Sequence, residues 1–426
     1  MLTYTNVMDV RYDVDVFVAG GGPAGVAAAV TAARNGASVY LAEAMGCFGG
    51  EGTSALVPCF CQFSDGDRFL AGGIGEEICL AHYGNEAGAD GFWALDCEKL
   101  KRQYDRMVSD AGVQFTFFTT LLDVVTDAPG HVEYAVCAGK SGVFAVRAKY
   151  FLDCTGDADL CARAGADFEL GDENGLCMGA TLCSTWAGVE WDRVTQAGGG
   201  EPLERAIRDG VFKIPDRHLP GMLHCGKTYA GGNIGHIFGV DGTDERSLTA
   251  AMLEGRRYYP EYEKYYKEYL TGFESMELTA TGSLLGVRES RRVTGDYRLT
   301  LDDFLARRKF ADDIGVYCYP VDIHVGRPGL DEYARFEDEY ENLRYRPGKS
   351  YGIPFRVLTP KGLTNVMVAG RSISTDRAMQ SSTRVMPCCY ITGQAIGMAA
   401  AMHPDDVHAA DIPALQERLR KIGAII

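Results

Sequence analysis

The sequence predicts an α/β protein: a nucleotide-binding βαβ layer with a β-meander, plus an α+β domain inserted before a C-terminal return segment. Three observations predict it. A strand–turn–helix–strand pattern with G-x-G-x-x-G in its turn opens the chain, short alternating strands follow up to "FLDCTGDADL", and the Gly/Ala-rich "TGQAIGMAAAM" comes near the end. At 426 residues the chain is too long for one ordinary core. The expected division is 1–165, 166–345 and 346–426, with the first and last segments forming one domain and the middle one facing the substrate.

The first element is "YDVDVFVAGGGPAGVAAAVTAARNGASVYLAEA". Val14, Val16 and Val18 begin a strand, Val26 to Asn35 a small-residue helix stopped by Gly36, and "ASVYLAE" a second strand. Gly20 permits the tight turn, Gly22 lets backbone approach a pyrophosphate, and Gly25 lets helix and strand pack closely. Pro23 and Ala24 open the helix, whose unpaired N–H groups face an anion. Glu43 ends the second strand, placed to accept hydrogen bonds from a ribose diol and to repel a 2′-phosphate. The cofactor choice lies between NAD and FAD. Directly after Glu43 comes "AMGCFGGEGTSALVP", a second glycine cluster where an NAD enzyme would begin another helix. Gly49, Gly50 and Gly52 would let a longer cofactor pass, with Thr53 and Ser54 as donors. The reading is a Rossmann-type FAD-binding domain.

Composition excludes other classes. The net charge of −16 argues against phosphate-backbone binding, so no nucleic-acid partner is expected. No apolar run reaches a membrane span of roughly 18 residues, and "MLTYTNVMDVRYD" lacks a signal-peptide pattern. The 14 cysteines are scattered through apolar segments, as buried thiols are. "CFC" (Cys59, Cys61) and "CC" (Cys388, Cys389) are the close pairs, and neither has zinc spacing, so no metal is expected. Together these indicate a reducing cytoplasm.

"LDCEKLKRQYDRMVSDAG" predicts an amphipathic helix from Asp96 to Ala111. The strands after it, ending in "CTGD" (Cys154 to Asp157), resemble the glutathione-reductase-like two-dinucleotide-binding flavoproteins. "GVRESRRVTGDYRLT", "YPVDIHV" and "NVMVAGRSISTDRAMQSSTRVMPCCYITGQAIGMAAA" sharpen the resemblance. They look like the bacterial family called simply FAD-dependent oxidoreductases, related to fumarate-reductase-type and tRNA-modifying flavoproteins. It covers roughly residues 13–165 and 280–402. The resemblance implies that Gly156 approaches the adenosine closely and that Asp157 starts a helical turn. It implies Gly370 and Arg371 near the pyrophosphate or ribityl chain, and Asp376 as the acid for a ribityl hydroxyl. Thr383, Arg384 and Val385 would form the turn before the final helix, facing the flavin's pyrimidine edge. Cys388 and Cys389 at that helix start suggest lowered thiol pKa values.

No second G-x-G-x-x-G lies between a strand and a helix, which implies an electron donor or acceptor other than a nicotinamide in its own domain. In the middle domain "MGATLCSTWAGVEW" predicts a strand over the flavin, and residues 243–270 a helix broken at Pro260. Its Tyr258, Tyr262, Tyr265, Tyr266 and Tyr269 form either a packing stripe or a sugar-stacking face. Arg288, Arg291 and Arg292 beside Glu289 form either an anion clamp or a network with acids such as Asp302 and Asp303. His324 and Asp322, two apart on a strand, would share one face, so that a carboxylate orients an imidazole. The candidate catalytic residues are His324, Arg288 and His236. The expected activity is hydride transfer between flavin N5 and a small polar organic substrate, leaning to dehydrogenation of a hydroxylated or sugar-like molecule. The alternatives are enoate reduction and an electron-transfer subunit. A homo-oligomer is an open expectation.

Overall fold

Apolar alternation from Val14 builds β1 (Val10–Ala19), and the glycine turn delivers the chain into α1 (Pro23–Arg34) and β2 (Val39–Ala42). The computed structural model describes residue 5 and residues 7–84, 92–218, 221–340 and 342–426. The chain start, read as lacking a leader pattern, lies partly outside the described residues. Beyond the second glycine cluster come β3 (Cys59–Cys61), α2 (Ile74–Tyr83), β4 (Phe92–Ala94) and α3 (Cys97–Asp110). Asp96 caps α3 by accepting the Lys99 N–H at 3.0 Å.

Strands β5 (Gln114–Thr116), β6 (Thr120–Ala128), β7 (His131–Gly139) and β8 (Gly142–Asp153) complete the first sheet, in the order β5-β2-β1-β8-β7-β6. The twelve-residue β8 serves twice. Its first half closes the antiparallel meander on β7, and from Ala145 onward it runs parallel to β1, bringing Asp153 opposite Ala19. That register sets "CTGD" directly beside the glycine turn. Helix α4 (Asp159–Arg163) follows, capped by Ala158 in the left-handed region. Asp157 therefore does not start the helical turn expected of it; its carboxylate is held by Arg371 instead.

The middle of the chain folds as β9 (Phe168–Leu170), β10 (Ser184–Ala187), α5 (Gly200–Arg208), β11 (Met222–Gly226), β12 (Tyr229–Gly232), α6 (Glu245–Tyr269) and β13 (Glu277–Thr281). The sheet order is β11-β12-β10-β13. Helix α6 is not broken at Pro260 but runs through it. Tyr259, Tyr262, Tyr265 and Tyr266 are buried along it, and their packing outweighs the ~3 kcal/mol cost of an interior proline. The tyrosine stripe is thus a core face. This second core draws on residues from Ala180 to Leu285, narrower than the 166–345 expected. Val293, Leu299, Phe304, Ile314 and Tyr317 pack into the first core instead.

The return comprises β14 (Arg291–Val293), α7 (Leu301–Ala306), β15 (Asp313–Tyr317), α8 (Leu330–Tyr340), β16 (Tyr351–Pro354), β17 (Val366–Val368), α9 (Arg377–Thr383), α10 (Met386–Ala401) and α11 (Ile412–Lys421). Strand β17 adds to β8 in parallel. Residues 319–325 form no strand, contrary to expectation. Pro320 has no N–H, the Val321 N–H goes to Leu343 O and the Asp322 N–H to Ser381 Oγ, so no ladder can form.

Helix α10 is buried at every residue and is not the final helix, since α11 follows. A Cβ on Gly393 would come within 2.2 Å of Ala24 O, and one on Gly397 within 2.2 Å of Ala28 O. Its small residues let it lie directly on α1, so both helix starts open on one side of the sheet.

Candidate functional site

A cavity of about 610 Å³ runs from the glycine turn to the middle domain, within the range of cofactor and ligand pockets. At one end the backbone makes the walls. Gly20 turns at φ +91°, and a Cβ on Gly25 would lie 1.8 Å from Gly20 O, so helix and turn close only on glycine. Gly22 faces open space, with nothing within 4 Å of where its Cβ would be. No side chain caps the start of α1 or of α10, which leaves both sets of amide groups for a ligand. Glu43 is buried and accepts the Gly21 N–H at 2.7 Å and the Met45 N–H at 2.6 Å. Burial pushes its carboxyl up, opposed by those amides. Its remaining lone pairs suit a ribose diol. An open glycine cradle, two uncapped helix starts and a buried acid at a strand end fit FAD.

The predicted residues divide. Gly20, Gly22, Pro23, Ala24, Glu43, Gly50, Gly156, Asp157, Gly370, Arg371, Arg384 and Val385 line the cavity. Gly25 and Gly49 shape the wall from behind. Thr53 donates to Phe48 O at 2.7 Å and Thr383 to Met379 O at 2.9 Å, each within its own turn. Asp376 caps α9, accepting the Met379 N–H at 2.8 Å and the Leu301 N–H at 2.7 Å. These five do not line the cavity, so Asp376 is not placed for a ribityl hydroxyl. Arg371 lines it but acts as a clamp. It donates to Gly156 O at 2.9 Å, Glu51 Oε1 at 2.9 Å, Asp157 Oδ1 at 2.6 Å and to Val287 O, joining three separated segments. Cys388 and Cys389 do not have lowered pKa values: burial pushes Cys388 well up and Cys389 to about 12. Desolvation of a thiolate exceeds whatever the helix start offers it.

At the other end the cavity is lined by side chains. The expected anion clamp comes apart: Arg291 pairs with Asp159 at 2.9 Å, and Arg292 with Glu289 and with Glu169 at 3.4 Å. Asp303 pairs with Arg308 at 2.8 Å rather than with these arginines. Arg288 alone of the three turns into the cavity. It donates to Gly179 O and Thr181 Oγ1, both at 2.8 Å, to His218 Nε2 at 3.0 Å and to Asn233 Oδ1 at 3.3 Å.

His324 and Asp322 do face one another, at 3.4 Å between Nε2 and Oδ1. The stronger contact of His324 is one the sequence did not indicate: its Nδ1 lies 2.8 Å from His236 Nε2. His236 Nδ1 in turn faces Asp216 at 3.2 Å and Tyr333 Oη at 2.8 Å. Asp216 also accepts the His218 N–H at 2.8 Å, the His236 N–H at 2.6 Å and the Tyr333 hydroxyl. Burial pushes Asp216 up, but His236, His218 and Tyr333 together hold it well below the usual carboxylate range. Asp216, His218, Tyr333 and Asn233 were not singled out from the sequence, although "DRH" at 216–218 repeats the D-x-H spacing of "DIH" at 322–324.

Burial, Arg288, His236 and Arg384 keep His324 well below its ordinary pKa; burial, His236, His324 and Arg288 do the same to His218. The nitrogens of His218, His236 and His324 lie within 4.8 Å of one another, a separation that could hold a metal ion. The Arg288 guanidinium already occupies the His218 Nε2 lone pair, and Arg288 and Arg384 both act on His324, so the surroundings disfavour a cation. Among the described residues no helix is long and apolar enough to cross a membrane.

The sequence profile of the family described as FAD dependent oxidoreductase matches residues 15–419. A thiamine thiazole synthase of Methanococcus aeolicus is 26% identical over 252 residues, 56% of this chain and 84% of the relative. Among solved structures, a geranylgeranyl bacteriochlorophyll reductase-like protein of Thermoplasma acidophilum is 14% identical, with TM-score 0.47, over 96% of this chain and 83% of that one. The p-nitrophenol 4-monooxygenase PnpA of Pseudomonas putida DLL-E4 is 12% identical, with TM-score 0.42, over 96% and 82%.

Proposed function

The chain belongs to the FAD dependent oxidoreductase family, and from that premise we propose that it dehydrogenates a small, hydroxylated organic substrate with His324 as the proton acceptor. FAD, bound along the glycine turn, supplies a two-electron acceptor at N5. Gly22, Gly50 and the starts of α1 and α10 would hold it, with Glu43 on its ribose.

The observation that carries the reading is the hydrogen-bond chain Asp216–His236–His324. An ionised carboxylate only accepts, so the proton facing Asp216 sits on His236 Nδ1. His236 Nε2 must then accept, which puts a proton on His324 Nδ1. His324 Nε2 is left with a lone pair, 3.4 Å from Asp322 Oδ1 but not hydrogen-bonded to it, and His324 lines the cavity. That nitrogen would take the hydroxyl proton, while FAD, when bound, would supply the acceptor for the hydride that leaves the carbon as a C=O forms. The imidazolium so made faces the Asp322 carboxylate at 3.4 Å, which offsets part of the cost that burial, Arg288, His236 and Arg384 impose on it. Reduction of an enoate would instead call for a proton donor at this position, which favours the oxidative direction. The sequence has no second dinucleotide turn, so the electrons would leave to an acceptor that is not a nicotinamide bound in its own domain.

The test is His324→Gln, assayed by anaerobic bleaching of the bound flavin against hydroxy acids, sugars, amines and enoates. Bleaching by an alcohol class in the wild type, lost by at least a hundredfold in the variant at equal FAD content, supports the reading. An undiminished rate in the variant removes His324 from the chemistry.

A further inference from the structure

Among the described residues, every cavity-facing or neighbouring arginine but one has an acid within salt-bridge distance. Arg291 has Asp159, Arg292 has Glu289, Arg371 has Glu51 and Asp157, Arg377 has Glu289 and Arg384 has Asp322. Arg288 is 8% exposed, and among the described residues no carboxylate lies within 4.0 Å of it. Its four contacts are a carbonyl, a hydroxyl, an imidazole and an amide, all neutral. A buried guanidinium stays charged, and without a counter-charge it costs several kcal/mol, as an order of magnitude. Burial, and next Arg384, draw its pKa down to about 10.

Three of the four contacts, Thr181, His218 and Asn233, are themselves cavity walls, and the Asn233 contact is the longest at 3.3 Å. A ligand oxygen can therefore reach the guanidinium by displacing or sharing a weak neutral acceptor. One unpaired positive charge matches a monoanion; a phosphate dianion would leave a charge over. We propose that Arg288 binds the substrate's carboxylate and that the substrate is a 2-hydroxy acid.

The position of the hydroxyl follows from His218. Its ring touches Arg288 NH2 at 3.0 Å through Nε2 and lies 4.7 Å from the His324 ring, centre to centre. Anion site and proton acceptor thus flank the same imidazole, a spacing that a hydroxyl on the carbon next to the carboxylate can bridge. Both the hydroxyl's role and this spacing rest on the dehydrogenation reading above.

Two assays on the FAD-loaded protein separate the claims. The first titrates acetate and propionate, monoanions that carry no oxidisable hydroxyl, and follows the flavin absorbance. Binding weakened at least thirtyfold in Arg288→Gln, and partly restored in Arg288→Lys, is expected. The second measures anaerobic bleaching by lactate, glycolate and gluconate beside propane-1,2-diol, glucitol and glucose 6-phosphate; only the monocarboxylic acids should bleach. Bleaching by a neutral polyol, with no carboxylate effect on the spectrum, overturns the carboxylate assignment but leaves dehydrogenation intact. Preference for glucose 6-phosphate likewise overturns it. Arg288-dependent carboxylate binding with no bleaching by any alcohol supports the anion site and sinks the dehydrogenation reading. Tight zinc binding lost in His218→Ala, with carboxylates inert, would show the pocket to be a metal site and overturn the proposal.

Discussion

Asp216→Asn replaces one oxygen of the carboxylate by an NH2 of the same shape, and its consequence can be followed atom by atom. Asp216 can only accept, so it dictates a proton on His236 Nδ1. An Asn amide can donate to that nitrogen, which allows the other tautomer of His236. With its proton on Nε2, His236 donates to His324 Nδ1, 2.8 Å away, and the proton of His324 moves to Nε2. The lone pair is then buried between the rings, and the cavity faces an N–H that cannot accept a proton. General-base catalysis contributes on the order of 10²–10⁴ in rate, so losing it raises the barrier by about 2.7–5.4 kcal/mol. The expected result is a fall of that size in the anaerobic bleaching rate, with little change in substrate binding, because Arg288 does not touch Asp216. A direct readout accompanies it: ¹⁵N shifts of the His324 ring at pH 7 should report a bare Nε2 in the wild type and a protonated one in Asp216→Asn. Tyr333→Phe, which keeps the carboxylate, should cost less, about tenfold. A wild-type bleaching rate in Asp216→Asn at full FAD content, or an Nε2 protonated before the substitution, refutes the ring order.

Two further outcomes are expected. Gly22 has φ −67° and open space where a Cβ would stand, so Gly22→Val leaves the backbone unstrained and fills the cofactor cradle. The variant should purify without flavin, by absorbance, and keep its far-UV circular dichroism; a normal flavin content would show that the cradle is not the FAD site. Asp313, at the start of β15, is pushed by burial up to about 6. A carboxyl that binds its proton more tightly when folded gives stability present at low pH and lost as pH rises from about 4 to 6. At roughly 1.36 kcal/mol per pKa unit the loss is about 2–3 kcal/mol, the lower figure allowing for solvent screening. Asp313→Asn should therefore raise Tm at pH 7.5, with the gain vanishing near pH 4; equal gains at both pH values would contradict the titration.

What could be read from the sequence, and what could not, follows from how far apart in the chain each part lies. Gly20 to Glu43 work within one βαβ unit, where spacing is geometry; Gly20, Gly22, Pro23, Ala24 and Glu43 line the cavity, and Gly25 packs behind it. Gly393 and Gly397 are legible for a related reason: four residues apart on a helix, they present one stripe, and only small residues allow it onto α1. The substrate end is different in kind. Asp216, His236, Arg288, Tyr333 and His324 come from five segments, and only the return of residues 319–325 against the second core brings His324 onto His236. Residues 288–292 illustrate the limit: three arginines nearly adjacent in sequence diverge to a neighbouring acid, a buried ion pair and the cavity. Reading them as one clamp or one network was natural because no periodicity precedes β14 at Arg291 to say which side each faces. The identity of the unpaired one depends on where every acid ends up, since Glu289 is consumed by Arg292 and Arg377 and Asp322 by Arg384. An uncompensated charge is a property of the whole fold, and for that reason Arg288 could be named as a candidate from the sequence while its solitude, which gives it a function, could not.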